Sequence, residues 1–107
     1  MASGRLGAID MTNAATDTVA YTVPINTFSV VNVSFCNRNT TTITIRLSIS
    51  ASSTALTTEY LEYETQLLPN GVLERTGIVM DAGKIVLCRA SSTGCTVVVT
   101  GIETSTT

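Results

Sequence analysis

From Thr41 to Ser50 the chain reads Thr-Thr-Ile-Thr-Ile-Arg-Leu-Ser-Ile-Ser. Apolar Ile43, Ile45, Leu47 and Ile49 alternate with Thr42, Thr44, Arg46 and Ser48 without interruption. A helix turns about 100° per residue and would scatter these side chains around its axis, whereas a strand sends residues i and i+2 to the same face. The segment therefore demands a half-buried strand, and its apolar face demands further sheet to pack against.

The rest of the chain supplies it. Thr18–Val23 is a short strand stopped by Pro24, which cannot donate to a ladder. Phe28–Asn37 places Val31, Val33 and Phe35 on one face and ends in an Asn37-Arg38-Asn39-Thr40 turn. Ala51–Thr58 is a loop of small residues. Glu59–Leu68 alternates again, with Leu61, Tyr63 and Leu67 expected inward and Glu62, Glu64 and Gln66 outward; a helix is the rival reading there, because Glu and Leu are good helix formers. Pro69-Asn70-Gly71 is a turn, Val72–Met80 a strand with a kink or bulge at Gly77, and Asp81-Ala82-Gly83 a second turn. Lys84–Ala90, with Ile85 and Leu87 inward, and Cys95–Ile102 complete the set. The pattern is all-β: an antiparallel β-sandwich, jelly-roll-like, of seven to eight short strands. Residues 1–17 read as an N-terminal arm with a short strand near Arg5–Met11, loose or docked on a neighbour. Residues 18–107 read as one β-sandwich domain, with Glu103–Thr107 as a frayed polar tail.

Chemistry is hard to place on this chain. It has no histidine, the commonest general base and metal ligand. Cys36, Cys88 and Cys95 match no metal spacing and read as reduced, buried thiols. Cys88 is followed by Arg89, but neighbours on a strand point to opposite faces, so the thiol gains no cation. Glu62 and Glu64 share a face at a separation within the glycosidase range, yet an outward strand face needs polar residues anyway. No glycine loop suited to phosphate is present. The expectation is a non-enzymatic protein with no cofactor and no metal. Six basic and eight acidic residues, none of the basic ones adjacent, leave a formal charge of −2, too weak a field for nucleic acid. No apolar run approaches the roughly 20 residues of a membrane helix, and the opening residues do not read as a secretory signal. Neither nucleic acid nor membrane is expected as a partner.

Two stretches carry a resemblance. One is the opening Met-Ala-Ser-Gly-Arg-Leu-Gly-Ala-Ile-Asp. The other is Glu59-Tyr60-Leu61-Glu62-Tyr63-Glu64 with Leu67-Leu68-Pro69-Asn70-Gly71-Val72-Leu73-Glu74-Arg75-Thr76-Gly77 and Asp81-Ala82-Gly83. Together they resemble small virion structural proteins of tailed bacteriophages, especially those of cyanobacteria and other aquatic bacteria. The resemblance implies a capsid decoration (cement) protein that self-associates as a homo-oligomer, such as a trimer, and stabilises the head shell against the major capsid protein or another virion protein. It places the chain in the virion after folding in the bacterial host cytoplasm. The alternative is a tail-associated receptor- or glycan-binding module, with an aromatic or amide cluster around Tyr60 or in the loop Ala51–Thr58. The interface candidates are Arg5 and Leu6 in the arm, Glu74 and Arg75 in the most distinctive motif, and Val97, Val98 and Val99. That valine run has more apolar side chain than one core face requires.

Overall fold

A computed structural model describes residues 3–106; Met1 and Ala2 of the arm and Thr107 of the tail lie outside the described residues. Eight strands form: β1 (Ser3–Asp10), β2 (Thr18–Thr22), β3 (Thr27–Asn37), β4 (Ile43–Ser50), β5 (Tyr60–Leu67), β6 (Val72–Met80), β7 (Ile85–Ala90) and β8 (Cys95–Ser105). They make two four-stranded antiparallel sheets, ordered β1-β8-β3-β6 and β2-β7-β4-β5, stacked as a sandwich. Glu59–Leu68 resolves as the strand β5 rather than a helix. Only β4 and β5 follow one another within a sheet; every other connection crosses between layers.

The alternation read from the sequence builds the core. Val31, Val33 and Phe35 of β3, Ile43, Ile45 and Leu47 of β4, and Val97 and Val99 of β8 are all buried between the layers. Burial of such side chains contributes roughly 1.5–3 kcal/mol each. Tyr21 reaches across the core from β2: its hydroxyl donates to Glu103 Oε2 at 2.6 Å and shares a hydrogen bond with Ser29 Oγ at 2.7 Å. Burial, with the Glu103 carboxylate beside it, pushes the phenol up to about 12. Asn37, fully buried at the end of β3, donates through Nδ2 to the carbonyls of Thr41, Leu67 and Leu68, and its Oδ1 accepts from the Asn39 amide. A residue that reads as turn former thus pins the β3–β4 turn to the end of β5.

Several expectations need correction. The arm lies along its own domain: β1 runs antiparallel to β8, Met11 is buried in the core, and Leu6 packs against it. The tail is held as well, since β8 continues to Ser105 and the Thr106 amide donates to the Asn26 carbonyl. On β7 the core residues are Val86, Cys88 and Ala90, because they pair with Ile49, Leu47 and Ile45. Leu87 is equally buried but on the outer side of the sheet, and Ile85 is half-buried. On β5 the expected parity fails at a bulge. Ile45 pairs with Thr65 but Leu47 pairs with Glu62, so Tyr63 and Glu64 together oppose Arg46. Glu64 takes φ +52° there, a conformation uncommon outside glycine. The bulge turns Tyr63 outward, 59 % exposed, and brings Glu62 to the inner side.

All four edge strands are interrupted in this way. β1 is bulged at Leu6, β2 at Ala20, β5 at Tyr63–Glu64 and again at Leu61, and β6 at Thr76–Gly77 opposite Asn32. Gly77, at φ +70°, supplies the left-handed residue its bulge needs. Bulged edges resist strand-by-strand pairing with other chains.

Candidate interaction surfaces

The outer face of the β2-β7-β4-β5 sheet is covered in its middle by its own chain, while Val19 and Tyr63 on it stay exposed. The loop joining β4 to β5 starts beside Ile85 and folds back until the Ala55 amide reaches Asp17 Oδ2, next to the start of β2. It therefore crosses β7, and Leu87 and Ser48 on that face are 1 % and 2 % exposed. Glu59 anchors the loop: its carboxylate accepts from the amides of Leu56 (2.8 Å) and Ala51 (3.1 Å) and from the Ser50 hydroxyl (3.0 Å). These bonds favour the ionised form and hold the Glu59 carboxyl below its ordinary value, the Leu56 amide being the largest cause. Beside the loop, the Arg46 guanidinium lies 4.4 Å from the Tyr63 ring centre and donates to Glu64 Oε1 at 3.0 Å, while Tyr60 and Tyr63 meet edge to face at 4.9 Å. The hydrogen bond from Arg46 lowers the Glu64 pKa. Arg89, next along the same face, is held by Asp17 at 2.9 Å.

Among the described residues, the outer face of the β1-β8-β3-β6 sheet has no such cover. Strand registers define its rows. Ile102, Val30 and Val79 stand side by side on β8, β3 and β6, and Phe28 follows two residues before Val30 on the same side. Cross-strand neighbours of this kind have Cβ atoms about 4.5–5.5 Å apart, so the side chains form one continuous patch. Val79 is 72 % exposed, Ile102 52 % and Phe28 37 %.

The sequence-derived candidates divide between this face and the interior. Arg5 is exposed on it, in the row of Thr100 and Asn32; Glu74 is exposed on it, in the row of Ala8, Val98 and Ser34. Val98 is half-buried within that same row. Val97 and Val99 are core residues of this chain, fully buried, and Leu6 is half-buried against the core. Arg75 points inward and pairs with Glu62 across the sandwich. Sequence reasoning missed Val30, Val79 and Ile102. The same signal that marked Val98 would have found two of them, because Val30-Val31 and Ile78-Val79 are adjacent apolar pairs within strands and must put one member on each face.

Glu62 and Glu64 are not a carboxylate pair, since the bulge separates them and each has its own arginine. Cys88 and Cys95 are buried free thiols and Cys36 a half-buried one. Burial pushes the Cys95 thiol up to about 11 and Cys88 higher still. Among the described residues there is no cleft or cavity, and no cluster of side chains is suited to a metal ion.

A family model described as Trs120/TRAPPC9, fourth Ig-like domain, matches residues 8–97, well over half of the chain. No curated protein and no solved structure matches significantly. The family match corrects the reading from resemblance. Trs120/TRAPPC9 is a subunit of a eukaryotic trafficking complex, TRAPP, and not a phage protein. The virion location, the capsid and homo-oligomer partners, the cement role and the tail-associated glycan-binding alternative fall together. The fold explains why the motif misled. Asn70-Gly71, Val-Leu-Glu-Arg, Gly77 and Asp-Ala-Gly are a turn with Asn70 at φ +56°, an edge strand, its bulge glycine and a turn with Gly83 at φ +82°.

Proposed function

The chain belongs to the family of the fourth Ig-like domain of Trs120/TRAPPC9, and from that premise we propose that it is a non-enzymatic module that docks within a TRAPP trafficking assembly through the outer face of its β1-β8-β3-β6 sheet. The observation that carries this reading is the continuous row of Ile102, Val30 and Val79, with Phe28, on a face that none of the described residues covers. Contiguous apolar surface of this kind marks interaction sites. Two features disfavour the other routes: the edges are bulged, and the opposite face carries the loop fastened by Glu59, which covers Leu87 and Ser48 though not Tyr63 or Val19.

The test uses a purified TRAPP complex whose Trs120/TRAPPC9 subunit lacks its fourth Ig-like domain, offered to this chain in solution. The wild-type chain binds. Val79→Asp and Ile102→Asp, both at exposed positions, keep the circular dichroism and melting temperature of the wild type and lose binding at least tenfold. Undiminished binding by both variants would rule out this face. Absence of binding by the wild type would rule out the docking role.

A further inference from the structure

This chain is sparing with charge, and nearly every charge it has is engaged internally. Five ion pairs take up ten of its six basic and eight acidic residues: Asp10 with Arg38, Asp17 with Arg89, Glu62 with Arg75, Glu64 with Arg46, and Asp81 with Lys84. Glu59 is held by the amides of its loop and Glu103 by the Tyr21 hydroxyl. That leaves Arg5 and Glu74. Among the described residues neither makes an ion pair or a side-chain hydrogen bond. They have opposite signs and lie on the same sheet face, the one with the apolar row. Arg5 is on edge strand β1 and Glu74 on edge strand β6, three strand spacings apart. At about 4.8 Å per spacing the two strands are roughly 14–15 Å apart.

Resting on the docking role above, we infer that Arg5 and Glu74 are the two charged contacts that orient the partner. The partner is a protein surface with an apolar centre, a carboxylate opposite Arg5 on β1 and a cationic side chain opposite Glu74 on β6, roughly 16 Å apart once the two-residue offset between their rows is included. Charges at the rim of an apolar contact set register and encounter rate and suppress wrong partners, and two of opposite sign at opposite edges allow one orientation and penalise its reverse. The face around the apolar row is polar, with Thr100, Asn32, Ser34, Thr96 and Thr104 between the strands' few apolar side chains. That mixture suits a contact between domains of one assembly, which is more polar than an obligate homodimer interface.

The experiment measures binding of the same domain-deleted TRAPP complex, against salt concentration, for the wild type, Arg5→Glu, Glu74→Lys and the doubly reversed Arg5→Glu/Glu74→Lys. Neither side chain has a partner among the described residues, so all three variants are expected to keep the wild-type melting temperature. Each single reversal lowers affinity at least tenfold at low salt and flattens the salt dependence, and the double reversal binds more weakly than either. Two results overturn the inference. If the reversals bind like the wild type while Val79→Asp does not, the face docks without its charges, and the docking role survives. If the chain self-associates by light scattering, with association lost in each single variant and restored in the double, the complementary surface is a second copy. Loss of binding by the wild type, or full binding by Val79→Asp, removes the docking role itself and the inference with it.

Discussion

Arg75 on β6 and Glu62 on β5 belong to different sheets, and Arg75 Nη1 lies 2.6 Å from Glu62 Oε2. Both strands are edges on the same side of the sandwich, so the pair ties the layers together where no strand does. The Thr65 hydroxyl donates to the other carboxylate oxygen at 2.8 Å. Arg75 is half exposed and Glu62 mostly covered, which places the pair between a solvent-screened surface bridge and a buried one. A double-mutant cycle with Arg75→Ala and Glu62→Ala, read by urea unfolding, gives a coupling energy of about 0.5–1.5 kcal/mol. Additive single-variant losses would show that the pair does not tie the layers.

Two glycines distinguish backbone strain from steric clash. At Gly77 an added Cβ meets nothing within 4 Å, but φ is +70°. Gly77→Ala therefore costs about 1–2 kcal/mol from the left-handed backbone alone. At Gly7 an added Cβ overlaps the carbonyl oxygen of Ala20, where β1 passes β2. Gly7→Ala forces the two edge strands apart and lowers the melting temperature further than Gly77→Ala does. The reverse ranking in thermal unfolding would contradict this account of the two sites.

Removing the Asn37 amide takes a donor from three carbonyls at once, those of Thr41, Leu67 and Leu68, of which Leu68 still accepts from the Gly71 amide. Leaving buried acceptors unpaired costs about 1–3 kcal/mol each at most, reduced where water can enter. Asn37→Asp, which keeps the shape but not the donors, is expected to lose about 3 kcal/mol or more of unfolding free energy in denaturant titration. A loss below about 1 kcal/mol would mean that water replaces the amide without penalty.

The Glu59 loop is sensitive to acid. Its carboxyl is lowered from an ordinary value of 4.5 in the folded chain. A lowered acid stabilises the fold above its unfolded-state value, and that contribution disappears as pH falls through the folded-state value. Amide exchange at Ala51 and Leu56, corrected for intrinsic rates, should therefore be protected at neutral pH and lose protection below about pH 4.5. In Glu59→Gln the protection is reduced at neutral pH and no longer follows pH in this window.

Thiol chemistry tests burial directly. A water-soluble disulfide reagent at pH 8 is expected to label Cys36 in the folded protein and to leave Cys88 and Cys95, which are buried and have raised pKa values, until denaturant is added. Early labelling of Cys88 would mean that the sheets separate more readily than the packing implies.

The alternation of Ile43, Ile45, Leu47 and Ile49, and of Val31, Val33 and Phe35, was sufficient to specify an all-β sandwich and most of its core, because strand period and burial are local properties of the chain. The turn residues Asn70, Gly77 and Gly83 marked their boundaries for the same reason: a positive φ restricts which residues can occupy it. The same local logic failed on β5 and β7. At Tyr63 a bulge reversed the parity, and at Leu87 the far face was apolar because a loop from elsewhere in the chain covers it. Neither event leaves a trace in a period-two pattern.

The charges of Arg5 and Glu74 could be counted from the sequence, but not their isolation. That depended on which acidic groups the fold delivered to the other five basic residues, through contacts between residues as distant as Asp17 and Arg89. Local periodicity determined that this chain would be two layers of β-sheet. Strand order, register and the placement of one loop arise from contacts distant in sequence, and only these decided which face was left open and which two charges were left on it.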